Sequence, residues 1–125
     1  METIDGEPVL DRPSVTEVEA YFESAAAETR AVWLRLTRKG IAPASLSSDE
    51  LVDVGLCFGW VSAVRRRGDD ETYLQRYTRR RPRSKWSRVN IAKVDRLSAE
   101  GRMRAGGLAE VRAAQADGRW DNPWA

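Results

Sequence analysis

"WVSAVRRRGDDETYLQRYTRR", Trp60 to Arg80, places two β-prone stretches on either side of the cluster "GDDE". Gly68 to Glu71 is turn-forming, so Trp60 to about Arg67 and Thr72 to about Arg80 read as an antiparallel hairpin. The alternation inside each flank is weak. A better strand lies upstream in "AVWLRLTRK", where Val32, Leu34 and Leu36 alternate with Trp33, Arg35 and Thr37, the period of a half-buried strand over Ala31 to about Arg38.

Helical segments surround these strands. "SVTE" sets Ser14 three residues before Glu17, a capping box, and Val15, Val18, Phe22 and Ala25 then recur at helical spacing to about Thr29. Ser47 and Glu50 form a second box, opening a helix with Leu51, Val54 and Phe58 on its apolar stripe and Gly59 as its stop. Gly55 lies alongside that stripe, where a neighbouring backbone can come close. Pro82 ends the hairpin, and Ser84 is the expected N-cap of a third helix to about Glu100, with Trp86, Asn90, Val94 and Leu97 on one face. A fourth runs from about Ala105 to Asp117, with Leu108 and Val111 inward. Residues 1–13 read as a flexible N-terminal arm, in which Pro8, Val9 and Leu10 can lie against the core. The expected fold is α+β: about four helices packed on a small three-stranded antiparallel sheet, in a single domain over 14–125.

Composition narrows the chemistry. The chain of 125 residues has no His and one Cys, Cys57, which removes His-based triads, disulfides and His/Cys zinc sites. No apolar run approaches the roughly 20 residues of a bilayer span, and the acidic N-terminus does not read as a signal peptide, so a cytoplasmic protein without membrane insertion is expected. Net charge is +2, but Trp60 to Arg104 carries 14 Lys and Arg against 5 Asp and Glu, a basic segment in an acidic frame.

Four features can carry chemistry. "RRRPRSKWS" combines Arg forks with the free N–H groups of a helix start, which together favour an anion; equally, Ser84 caps, Trp86 is core and the Arg side chains are solvated. Asn90, on an apolar stripe, either points into a pocket beside Trp86 or pins the hairpin backbone. Cys57, inside "LCFGW" with no His to activate it, reads as a small buried hydrophobe. Trp60 and Trp86 flank the basic segment, an arrangement that suits stacking on bases and equally Arg stacking within a core.

"LCFGWV", "RRPRSKWSRVN", "EGRMRAGG" and "AQADGRWD", in this order and spacing, resemble the YdeI/OmpD-associated family, also called OmdA or bacteriocin-protection proteins, over about Tyr21 to Asp121. The resemblance implies a role in resistance to bacteriocins and cationic antimicrobial peptides, and an association with an outer-membrane porin that a cytosolic chain would reach only indirectly. The family's recurring set corresponds to Lys39, Cys57, Trp60, Arg80, Arg81, Ser84, Trp86, Ser87, Asn90, Gly101, Met103, Gly107 and Trp120. Ser62 stands where the family usually has Asp, and Thr78-Arg79 where it usually has Thr-Pro. Ser62 cannot supply a carboxylate base.

The functional expectation is a binding module for a small anionic ligand, with Trp60, Arg80, Arg83, Ser84, Trp86, Ser87 and Asn90 as ligand-binding candidates. The alternative is a nucleic-acid binder that spreads Arg65–Arg67 and Arg79–Arg83 along one stripe of the basic 65–88 segment. An enzyme would need Asp69, Asp70, Glu71, Asp95 or Glu100, none of which has a recognisable partner, so no catalytic residue, metal or cofactor is assigned.

Overall fold

The computed structural model describes residues 2–124. Its elements are β1 (Thr3–Ile4), β2 (Glu7–Asp11), α1 (Val15–Ser24), β3 (Ala31–Thr37), α2 (Ser48–Phe58), β4 (Trp60–Arg67), β5 (Thr72–Arg79), α3 (Arg88–Ala99) and α4 (Ala105–Ala116). The α+β class and the four helices agree with the sequence reading. The sheet does not: it is five-stranded and mixed, in the order β1-β2-β3-β5-β4, with β2 parallel to β3 and the other pairs antiparallel.

The two further strands come from the segment read as an arm. Asp5 and Gly6 hold φ of 53° and 78°, positive at both central positions as a two-residue I′ hairpin turn requires. That turn folds β1 back on β2, and β2 then closes the free edge of β3, with Val9 opposite Trp33. The gain is apolar: Val9, Trp33 and Leu74 are buried together with Ile4 against them, on the sheet face that no helix covers. Ion pairs Arg76–Glu7 (2.7 Å), Arg66–Asp5 (3.3 Å) and Arg35–Glu2 tie the hairpin down at its rim.

On the opposite face, α1 and α2 cover Val32, Leu34, Leu36, Trp60 and Tyr77 with Val18, Phe22, Leu51 and Val54. Both capping boxes are present, and Gly59 at φ 81° ends α2 in the left-handed conformation. α1 stops at Ser24, short of Thr29, because the carbonyls of Ala25, Ala26 and Thr29 turn outward to accept from the Arg79 guanidinium at 2.9–3.3 Å. α2 is two-sided: Leu56 and Cys57 face away from the sheet into a second core with Trp86, Val94, Leu97 and Val111 from the α3–α4 layer.

The start of α3 also differs from expectation. Ser87, not Ser84, is the N-cap, accepting from the Asn90 N–H at 3.1 Å. Ser84 instead directs both its N–H (3.1 Å) and its hydroxyl (2.7 Å) to the carbonyl of Arg81, closing a turn that holds Arg83 at φ 66°. The left-handed Arg83 holds the chain out of helical geometry at this turn, and α3 begins only after Ser87.

α4 meets α2 end to end. The Arg104 N–H donates to the Cys57 carbonyl at 3.0 Å, so the N-terminus of one helix neutralises the C-terminus of the other. A Cβ at Gly107 would fall well inside 3.0 Å of the Leu56 and Cys57 carbonyl oxygens, and one at Gly106 would lie 2.6 Å from that of Phe58. The small residues of "RAGG" are what allow this junction. Gly55 has the same use towards the sheet, where an added Cβ would lie 2.9 Å from the Trp60 carbonyl and from the Tyr77 ring.

Candidate functional site

The residues expected at the start of α3 do not form one pocket. Trp60 is buried in the sheet core, stacked on Phe22 with ring centroids 4.8 Å apart, and the Arg79 guanidinium lies over its ring at 4.8 Å. Trp86 lies in the second core, edge-on to Trp120 at 5.1 Å. Arg80 is buried with its guanidinium over the Trp86 ring at 4.0 Å and donates to the Lys85 carbonyl at 2.9 Å, its Nε finding no partner among the described residues. Burial lowers the Arg80 pKa, with the half-buried Glu110 opposing that shift. Burial in turn raises the pKa of the Glu110 carboxyl. Arg83 is exposed, Ser84 closes its turn and Ser87 caps α3. Asn90 does meet Trp60: the two share a separate small cavity with Ser62 and Tyr77.

Cys57 is buried and its thiol pKa is raised by that burial, which suits a packed side chain and not a nucleophile. The two halves of the basic segment are also kept apart. Trp60 pairs with Arg79 at one end of the hairpin and Arg67 with Tyr73 at the other, so Arg65–Arg67 and Arg79–Arg83 lie about 20 Å apart and share no stripe.

A large concavity lies elsewhere, and topology explains its position. β3 and β4 both run antiparallel to β5, so they are parallel to each other with β5 between them, and their carboxyl ends point the same way. α2 begins where β3 ends. The gap framed by the loop after β3, the first turn of α2 and the end of β4 encloses about 1080 Å³. Open α/β sheets offer ligands the same place, outside the carboxyl ends of parallel strands.

The walls of this cleft are basic. Arg38, Lys39, Arg65, Arg66 and Arg67 line it, against Asp49, Asp69 and Asp70. Several of these groups are already engaged. Arg65 lies 4.6 Å over the Tyr73 ring and reaches Gln75 Oε1 and Ser48 Oγ, both at 3.3 Å. Arg66 covers Trp33 at 4.5 Å and pairs with Asp5. Arg38 donates through Nε to the Asp69 carbonyl at 3.1 Å. The Asp69 carboxylate accepts from the N–H groups of Glu71 and Thr72 and from the Thr72 hydroxyl, which holds its pKa below the usual range. Lys39 and Arg67 are exposed, and among the described residues no carboxylate oxygen lies within 4.0 Å of either. They are the cations left for a ligand. No group of three or more His, Cys, Asp or Glu among the described residues could hold a metal ion.

Comparison with known families finds a match over residues 10–110 to a domain of unknown function, DUF8412. The chain belongs to the DUF8412 family. No curated protein and no solved structure matches it. The DUF8412 match begins at Leu10 within β2 and ends at Glu110 within α4, so it spans both cores and the cleft. Nothing in it links DUF8412 to the YdeI/OmpD-associated proteins. Within the DUF8412 chain no described helix is long and apolar enough to cross a membrane. Sequence reasoning passed over the cleft because its wall is the loop "RKGIAPASLS", Arg38 to Ser47, whose Gly and Pro content signals only irregular backbone. The available signal was position: paired cations directly after a strand that feeds a helix.

Proposed function

We propose that this DUF8412 domain is a binding module for a small anionic ligand, and that the ligand sits in the cleft at the carboxyl ends of β3 and β4. One observation carries the reading: a concavity of about 1080 Å³ has five cationic side chains and three carboxylates in its walls, with Lys39 and Arg67 unpaired among the described residues. The start of α2 is not the anion-binding element. Glu50 occupies its capping box and Asp49 stands beside it, so attraction has to come from the side chains.

The test is thermal unfolding of the purified protein with phosphate, pyrophosphate, nucleotides, sugar acids and short oligonucleotides, at low and high salt. Binding to the folded state raises the midpoint by mass action. One class of small anion should stabilise the protein, and Lys39→Ala with Arg67→Ala should abolish that shift without lowering the midpoint of the free protein. Stabilisation by oligonucleotides alone, vanishing at high salt, would transfer the proposal to nucleic acid. A shift that survives both substitutions would refute this site. On the resemblance alone we carry over a part in bacteriocin or antimicrobial-peptide resistance in the cytoplasm, which a deletion strain exposed to such peptides tests.

A further inference from the structure

The β1–β2 hairpin is joined to the rest of the chain by Arg12, Pro13 and Ser14, and it is largely self-contained. Its two strands pair with each other, the Val9 N–H donates to the Glu2 carbonyl at 3.1 Å, and its ladder to the body of the domain runs from β2 to β3. Among its described residues Leu10 alone packs against the main core, where it is partly buried. The other apolar anchors, Ile4 and Val9, rest on Trp33 and Leu74. Charge is divided cleanly between the two sides. Residues 2–11 hold four carboxylates, Glu2, Asp5, Glu7 and Asp11, and no Lys or Arg. Each pairs with a guanidinium of the body: Glu2 and Asp11 (3.2 Å) with Arg35, Asp5 (3.3 Å) with Arg66, and Glu7 (2.7 Å) with Arg76.

The hinge is held in a conformation that its residues disfavour. Arg12 has φ 46°, left-handed for a residue with a Cβ, and the Pro13 ring favours an extended residue before it. Straightened, residues 12–14 would relax and reach about 10 Å. A hairpin swung out in this way finds the same strand edge and the same Arg face on another copy of the chain, and repeats there the contacts it has left. Two bare faces repel each other and so do two free hairpins, so charge selects hairpin on face. We propose that the β1–β2 hairpin is exchangeable, and that the β3 edge with Arg35, Arg66 and Arg76 is a docking surface for the hairpin of a second copy. Arg66 also lines the cleft, so in the exchanged pair Asp5 of the partner subunit stands at the cleft wall. The docking surface does not depend on whether the cleft holds an anion.

The test is a charge exchange in the full chain. Glu7→Arg and Arg76→Glu each set like charges across the hairpin contact, whereas a hairpin from the first variant on the face of the second restores the pair. Refolded together from urea, so that slow opening does not limit exchange, the two proteins should form a heterodimer of twice the chain mass, read by native mass spectrometry and light scattering. Neither variant should form a dimer alone at the same concentration, and a chain carrying both substitutions should behave as the parent. Glycine takes φ 46° without strain, so Arg12→Gly in both members should favour the closed monomers; at about five-fold per hinge, the heterodimer should dissociate about 25-fold more readily. Two monomers in the mixture, a dimer that each variant forms equally well alone, or an Arg12→Gly pair that dimerises undiminished would each overturn the proposal.

Discussion

Gly107→Ala adds one methyl group where the start of α4 meets the end of α2, and its effect separates a structural motif from a functional one. The new Cβ would fall inside 3.0 Å of the Leu56 and Cys57 carbonyl oxygens, whereas ordinary contact begins at 3.4 Å. α4 must therefore retreat by more than 0.4 Å, and the neighbours that resist are backbone, which cannot swing aside. Overpacking of this kind costs about 1–3 kcal/mol. The retreat also stretches the Arg104 N–H to Cys57 carbonyl bond, now 3.0 Å, a loss of about 1 kcal/mol. Against this, Ala gains up to about 1 kcal/mol over Gly in a helix, and less in the first turn. The net is about 2 kcal/mol of destabilisation, or a melting point lowered by about 8 °C for a chain of this length. Gly101→Ala is the control: it has φ 71° but open space around it, so only backbone strain of about 1 kcal/mol applies. Calorimetry of the two variants reads the difference, and anion binding at the far end of α2 should persist in both below their melting points. A Gly107→Ala protein melting at or above the parent would refute the close-approach argument.

Arg79→Ala removes a guanidinium that bonds three loop carbonyls and covers Trp60, and should cost about 3 kcal/mol; Arg79→Lys should recover only part, and chemical denaturation measures both. Glu7 has its pKa lowered by the hydrogen bonds from Arg76, so its contribution is present at neutral pH and lost as pH falls below its ordinary 4.5 through the depressed value. Glu7→Gln should therefore lower stability at pH 7 by up to about 1 kcal/mol and reduce the further loss on acidification, read from melting curves across pH 2 to 7. Cys57, buried with a raised pKa, should resist alkylation by iodoacetamide in the native protein and react fully in denaturant; rapid native labelling would show that α4 opens away from α2.

The elements that local chemistry specifies were legible in the chain. The boxes Ser14–Glu17 and Ser47–Glu50 start their helices where the spacing says, and Gly59 stops the second. The alternation from Val32 to Thr37 gives β3, although Trp33 on its outer face is as buried as Leu34 on the inner. Asp5-Gly6 was a readable hairpin signal, but two-residue β1 is too short to show any period beside it. β2 needed knowledge of a distant edge, since Val9 is apolar in a way only Trp33 and Leu74 explain. The start of α3 misled because Ser84 and Ser87 are equally good caps by type, and only the turn at Arg81–Ser84 decides between them. Trp60 and Asn90 do meet in a cavity, whereas the anion cleft depends on two strand ends that are adjacent only through β5.

The crowding of Arg and the unusual number of Trp are one fact about this fold. Four guanidinium groups lie on aromatic faces at 4.0–4.8 Å: Arg65 on Tyr73, Arg66 on Trp33, Arg79 on Trp60 and Arg80 on Trp86. A chain of 125 residues has little apolar material to bury a large ring on every side, and helices cover only one face of its sheet. A guanidinium plane solves this, because it shields the ring with its weakly hydrated face and keeps its edge N–H groups for carbonyls and carboxylates. Arg79 spends its edge on three carbonyls, Arg80 on one, and Arg66 on Asp5. The field of these charges persists, but their directional donors are used, so a charge count along the sequence overstates what a ligand can grasp. Lys39 and Arg67 stack on no ring and pair with no carboxylate among the described residues, and the same holds for Arg81 and Arg83; the anion site is assigned to the first two because they line the large cleft and the others do not.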